Sequence, residues 1–286
     1  MPLRIEPVSP EQVPALAKIC FDAFGTLHRR HGVEPDFDSV KTAAMVVGMF
    51  ASRPDFAGFV ATDGAEVLGS NFIGFSDPVA GVGPITVRPE AQSRGVGRAL
   101  MIAVMDEARR RGVTRVRLLQ EAINTTSLSL YTKLGFDWRD GCALMRPALA
   151  AADDPRVRPL VAGDLANIDR ISTSQYHTTR RNEVEMFLKN GLPGFVLERD
   201  GRAAGYYFPG LIGHGFAEKV DDLAALVGHA ARNVPPPFHK ALVPLSENEL
   251  HRALLSRGCR TIKLLNYMTM GEWKAPVGAW MPCIGM

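Results

Sequence analysis

Val87-Arg-Pro-Glu-Ala-Gln-Ser-Arg-Gly-Val-Gly-Arg-Ala-Leu100 is the stretch from which the rest of the chain is read. A β-branched run (Val82, Ile85, Thr86, Val87) stops at Pro89, and Ala99, Leu100, Ile102, Ala103, Val104 and Met105 then recur at helical spacing. The pattern predicts strand, glycine-punctuated loop and helix. Gly95 and Gly97 have no Cβ, so the backbone is free to take positive φ or to lie close to a ligand. The first amides of the following helix have no internal acceptor, and with the positive end of the helix dipole they favour an anion such as a pyrophosphate. Arg94 and Arg98 add charge-assisted donors. No Lys-Ser or Lys-Thr follows the glycines and no Gly-x-Gly-x-x-Gly is complete, which sets aside two other phosphate loops.

Val87, Pro89, Gln92, Gly95, Gly97 and Leu100 satisfy V-x-P-x-x-Q-x-x-G-x-G-x-x-L. Downstream, Asn124, Leu130, Tyr131, Lys133, Gly135 and Phe136 form a second pattern in Asn-Thr-Thr-Ser-Leu-Ser-Leu-Tyr-Thr-Lys-Leu-Gly-Phe. The two motifs, in this order, resemble those of the GCN5-related N-acetyltransferases (GNAT). The resemblance implies an α/β fold with a mixed sheet and acetyl-CoA as co-substrate. It implies that the pyrophosphate is held along Gln92, Ser93, Arg94, Gly95, Val96, Gly97 and Arg98, and the pantetheine arm along the strand edge at Ile85, Thr86 and Val87. Tyr131 takes the family's tyrosine position, implying a general acid for the leaving thiolate; a packed aromatic is the structural alternative. Asn124 is either a pantetheine contact or a helix cap. Many relatives carry a glutamate on the strand before the loop, but Gly81-Val-Gly-Pro-Ile-Thr-Val87 has no carboxylate. Glu121, just past the next strand, is then the candidate base, with a plain surface glutamate as its alternative. No nucleophilic Ser-His-Asp or Cys-His arrangement is needed for direct transfer.

The 286 residues, 46% of them hydrophobic, suffice for one large or two ordinary domains. A net charge of +3 without a long Lys/Arg run gives no support to nucleic acid or an anionic membrane as partner. Cys20, Cys142, Cys259 and Cys283 are widely spaced and form no Cys-x-x-Cys pair, so no metal site is expected from them. The N-terminus shows no secretory pattern, and no apolar run reaches the ~18 residues of a membrane span. These features predict a cytoplasmic protein, a monomer or homodimer.

In chain order, Leu3–Val8 predicts a strand, and Ser9-Pro-Glu-Gln12 a capping box leading into a helix whose face is Val13, Leu16, Ala17, Cys20 and Phe24. Gly25–Asp38 is polar and predicts a connection before the next helix. The resemblance makes that connection a wall of the acceptor pocket, with His28, Arg29, Arg30, His31, Glu34, Asp36 and Asp38 as candidate contacts. Phe56–Ala61 and Val67–Phe75 flank an Asp63-Gly64 hairpin turn, and Gly81–Val87 predicts one further strand. After the small-residue run around Ala148–Pro155 the pattern begins again. Val157–Ile171 echoes the first strand and helix, Phe195–Gly205 echoes Phe59–Gly69, and Glu249–Gly258 stands where Ser127–Gly135 stood. We read two tandem GNAT folds at a period of roughly 120 to 160 residues: 1–147 catalytic, 148–156 linker, 157–286 degenerate. The second copy lacks Gln-x-x-Gly-x-Gly, opens the matching helix with Asp221-Asp222, and has Leu254 in place of the tyrosine and Cys259 in place of the phenylalanine. The expected function is N-acetyl transfer to a small-molecule amine. The alternatives are a non-catalytic acyl-CoA-binding module and a protein-lysine acetyltransferase. Tyr176–Arg181 is a further candidate contact region, and Val234-Pro-Pro-Pro-Phe238 a candidate fence for the cleft.

Overall fold

The computed structural model describes residues 3–149, 153–235 and 238–284. Residues 150–152 of the expected linker, and Pro236 and Pro237 of the proline run, lie outside them. The chain forms two compact units. One holds the chain up to Leu118 together with Ile123–Phe136, the other Leu119–Ala122 and Asp137–Ile284.

The first unit is built from β1 (Arg4–Pro7), α1 (Val13–His31), α2 (Val40–Ser52), β2 (Phe56–Asp63), β3 (Glu66–Gly74), β4 (Ala80–Val82), β5 (Thr86–Val87), α3 (Val96–Arg110), the start of β6 (Val116–Glu121) and α4 (Thr125–Lys133). Neighbours from β1 to β4 pair antiparallel and β4 runs parallel to β6, which makes the sheet mixed, as the motifs imply. The capping box is present: Ser9 N–H donates to Gln12 Oε1 at 2.9 Å. Leu16 and Cys20 of α1 pack with Val47 and Phe50 of α2, Val60 of β2 and Phe72 of β3. Val96 and Leu100 seat α3 against Ala61.

Two expectations need correction. First, α1 continues to His31 instead of ending near Phe24, because His28 is fully buried and its ring, 6.0 Å from that of Phe24, extends the apolar stripe. Gly32, at φ 64°, ends the helix with its N–H bonded to Arg29 O. Second, the strand expected over Gly81–Val87 is broken. Gly83 has φ 138° and Pro84 has no N–H to give, so β4 stops at Val82 and β5 restarts against β3, with Thr86 opposite Ser70 and Val87 opposite Gly69. A Cβ on Gly69 would lie 2.2 Å from Thr86 O, so only glycine permits that approach.

The second unit contains β7 (Asp137–Arg146), β8 (Val157–Pro159), α5 (Leu165–Tyr176), α6 (Arg181–Lys189), β9 (Phe195–Arg199), β10 (Arg202–Tyr207), β11 (Gly215–Ala217), α7 (Val220–Asn233), β12 (Ala241–Pro244), α8 (Asn248–Ser256), β13 (Arg260–Met270) and β14 (Ala279–Met281). From β8 to β13 the element order of the first half repeats. One sheet runs β14-β11-β10-β9-β8. In the other, β7 lies between β12 and β13, antiparallel to both. Both faces of β7 are buried: Ala143 and Met145 enter one core, Cys142 and Leu144 the other. Among the described residues no helix is long and apolar enough to cross a membrane.

Candidate functional site

The loop before α3 is shaped by two left-handed residues, Ser93 at φ 62° and Gly95 at φ 85°. Gln92 Nε2 donates to Val87 O at 3.1 Å and straps the loop back onto β5. Gly95 is the N-cap of α3, and Ala99 N–H, bonded to Gly95 O at 3.0 Å, is the first amide to enter the helical pattern. Helix geometry therefore leaves the N–H groups of Gly95, Val96, Gly97 and Arg98 without an intrahelical acceptor. No acidic residue lies in the first turn, and Ser93, Arg94, Gly95 and Arg98 are exposed. The arrangement presents donors and positive charge to solvent.

Gly97 is where the motif elements meet. A Cβ built there would touch Val87 Cγ2 of β5 and Leu130 Cδ2 of α4, each at 3.8 Å. Packing does not demand glycine at this position, since 3.8 Å is ordinary contact; a bare backbone matters only for something arriving from outside. Below, Asn71 fixes α3 to the sheet, its buried Nδ2 reaching Met101 Sδ at 3.3 Å and its Oδ1 accepting from Phe72 N at 2.9 Å. Sequence reasoning missed Asn71; the polar Ser70-Asn71 pair inside an apolar strand was the available signal.

Leu130 adjoins Tyr131, whose side chain is 5% exposed and whose ring lies 6.3 Å from that of Phe136. Burial raises the phenol well above its ordinary pKa, against a hydrogen bond with Ser127 that acts the other way. The hydroxyl thus carries its proton at neutral pH. Of the two roles open to Asn124, the cap is occupied: its Oδ1 accepts from Ser127 N at 3.1 Å. Gly135, at φ 97°, ends the turn after α4, and Phe136 N–H bonds back to Tyr131 O at 3.0 Å.

Residues 20–136 match the model of the Acetyltransferase (GNAT) family. Over that stretch the chain is similar to the GNAT family. The mycothiol acetyltransferase of Nocardia farcinica is 41% identical over 85 residues, covering 27% of this chain and 28% of that protein, so the chain spans under a third of this curated relative. A solved structure from Pyrococcus horikoshii, described as a candidate acetyltransferase, aligns over 99% of this chain and 94% of its own, with TM-score 0.79 and 15% identity. A tandem GNAT protein from the clavulanic acid biosynthesis pathway aligns over 96% of this chain and 100% of its own, with TM-score 0.57 and 12% identity. The whole chain has the tandem GNAT fold.

In the second GNAT copy the matching helix start is closed. Asp222, fully buried in the first turn of α7, accepts from Arg156 Nη1 at 2.9 Å and from Arg199 Nη2 at 2.7 Å, and Asp221 meets Arg257 at 3.2 Å. Leu254 and Cys259, in place of the motif's tyrosine and phenylalanine, are core residues. Glu121 falls in the second unit and is no surface carboxylate: its Oε1 is ion-paired with Lys263 Nζ, and both side chains are buried.

Several of the other candidates have partners within the fold. Asp38 accepts from Thr42 and Ser39 at the start of α2, hydroxyls that hold it below the usual carboxylate range. His28 Nε2 lies 3.8 Å from Asp36 Oδ2, and burial, aided by the Asp36 charge, pushes the nearby Cys20 thiol up to about 12. In the second unit His177 Nε2 bonds Ala275 O at 3.0 Å, while Arg180 and Glu183 form a buried pair beside His214. Despite its burial, Glu183 is held down to about 2 by Arg180, whereas burial and the same arginine lower His214 to about 4. His214 is therefore neutral at pH 7.

Proposed function

We propose that the protein transfers the acetyl group of acetyl-CoA to the primary amine of a small molecule, by direct attack in a ternary complex. The observation that carries this reading is the meeting at Gly97: an open helix start where an added Cβ would lie 3.8 Å from Val87 of the strand edge and from Leu130, the neighbour of Tyr131. The donor set suits the co-substrate. The N–H groups of Gly95–Arg98 with Arg94 and Arg98 match a pyrophosphate, and the backbone of Ile85, Thr86 and Val87, interrupted from β4 by Pro84, is the proposed edge for the pantetheine arm.

When bound, acetyl-CoA supplies an activated thioester. A strand N–H polarises its carbonyl, a one-donor oxyanion site worth a few kcal/mol. The Tyr131 hydroxyl gives its proton to the departing thiolate and regains one, through water, from the nitrogen proton released as the amide forms. Glu121 takes the proton of the acceptor ammonium, and Asn124 sets the start of α4 so that Tyr131 is held in place. Division of labour follows the tandem arrangement: 1–147 catalytic, 148–156 linker, and 157–286 shaping the acceptor side with no pyrophosphate site of its own. Four buried cysteines suit the reducing cytoplasm in which we place it.

The relatives' name puts the acceptor of the mycothiol acetyltransferases at the head of the amines to try. Thiol release from acetyl-CoA, followed for the full chain against a panel of small amines, tests the reading. Coenzyme A binding without turnover on any amine would support the binding-module reading instead, and turnover only on lysine peptides the protein-acetylating one.

A further inference from the structure

Glu121 ends β6, and Asn124, three residues on, opens the helix that carries Tyr131. Pairing of β4 with β6 covers Ala80 opposite Val116 and Gly81 opposite Arg117. The other neighbour of β6 in the sheet is β13, which belongs to the second copy, and Leu119–Ala122 fall in the same compact unit as β13. Ala122 N–H donates to Leu264 O at 3.2 Å, and Asn266 Nδ2 to Gln120 Oε1 at 2.7 Å. Trp138 Nε1 in turn donates to Asn266 Oδ1 at 2.9 Å and ties β7 to the same rung. Lys263 completes the set by pairing with Glu121, their side chains 3% and 10% exposed.

The ammonium of Lys263 meets the carboxylate of Glu121 directly, so neither charge is left without a counter-ion. Each of the two supplies what the other lacks. We propose that Lys263 is a positioning residue for acetyl transfer, contributed by the second copy to hold Glu121 as an oriented carboxylate at the end of β6. This rests on the reading of Glu121 as the group that receives the acceptor's proton. The step balances without the lysine changing state: the acceptor ammonium loses H⁺ to the Glu121 carboxylate, giving a free amine and a carboxylic acid, and the acid returns H⁺ to water. Lys263 exchanges no proton in this step; its duty is charge and direction.

The experiment uses the full chain, acetyl-CoA and the best amine of the panel. Lys263→Met should lower kcat by roughly 10- to 100-fold, at or below the low end of what a lost proton-transfer partner costs because the carboxylate itself remains, with the KM for acetyl-CoA within about twofold. Lys263→Arg, which keeps the charge, should recover most of the rate. Glu121→Gln should cost as much as Lys263→Met, and adding Lys263→Met to Glu121→Gln should cost less than about twofold more, because one residue acts through the other. The double variant leaves no lone buried charge and serves if Lys263→Met does not fold. A wild-type kcat in Lys263→Met, or full additivity in the double variant, overturns the inference while leaving the acetyltransferase reading standing. Wild-type protein that turns over no amine overturns both, and is recognised before any variant is made.

Discussion

The two copies start their corresponding helices in opposite ways. In α3 the cap and first three positions are Gly95, Val96, Gly97 and Arg98; in α7 they are Lys219, Val220, Asp221 and Asp222. Both starts have the same electrostatic need, since each leaves donors and partial positive charge unsatisfied. The second copy meets that need from within, with Asp222 buried under Arg156 and Arg199. The first meets it with nothing of its own: no acid, a cap without a side chain, and two exposed arginines. A helix end left open to solvent on one copy and sealed on the other teaches that a shared fold does not fix a shared ligand. What differs is whether the chain supplies the anion or leaves it to be supplied.

The largest expected effect comes from the other motif. Where the first copy has Tyr131 the second has Leu254, so Tyr131→Phe removes the proposed acid with little change in packing. We expect kcat to fall by about 10³-fold while coenzyme A affinity moves by less than about threefold, read from thiol release and from calorimetric titration. An equal loss in affinity would instead make Tyr131 a packing residue. Next is Asp222→Ala, which removes the second copy's internal anion. Chemical denaturation should show a loss of about 2 to 3 kcal/mol, less than for a fully buried pair because Arg156 and Arg199 keep part of their hydration. A second molecule of coenzyme A should not bind, because the matching loop lacks the left-handed glycine cap.

Much of this contrast is legible in the residues themselves. Asp221-Asp222 at a helix start, Gly95 at a cap, Asn124 before an α4 turn and Asp63-Gly64 between strands are local signals, each acting within a few residues. The order of elements follows from them. What escapes is nonlocal. Arg29, Arg30 and His31 make the end of α1 read as polar loop, because the one residue that continues its buried stripe, His28, is itself polar. The break at Gly83-Pro84 is written in the sequence, but β5's new partner, Gly69, is visible only once the sheet is assembled. The Glu121 to Lys263 pair joins residues 142 apart, and nothing near Glu121 announces its cation.

The comparison can be inverted in the first copy. Gly97→Asp with Arg98→Asp writes the second copy's first turn onto α3. Acids there favour the helix, so the fold should persist, yet each opposes a bound pyrophosphate by about 1 kcal/mol. Loss of the Arg98 contact adds about 1.5 to 3 kcal/mol. Together these predict about a 100-fold or greater rise in the dissociation constant for coenzyme A. Unchanged affinity would mean that the helix start is not where the anion sits.

Gly97→Ala is the smallest and most discriminating change. The added Cβ meets only Val87 and Leu130 at 3.8 Å, and alanine in a helix is favoured over glycine by roughly 0.5 to 1 kcal/mol. Stability should therefore rise slightly or stay level. If the bare backbone is kept for a ligand, coenzyme A affinity should fall by up to about tenfold in the same protein, a cost of up to about 1.4 kcal/mol. The two measurements then move in opposite directions, which a purely structural glycine cannot produce: a glycine retained for packing would lose stability on substitution, and one retained for nothing would leave both readings in place.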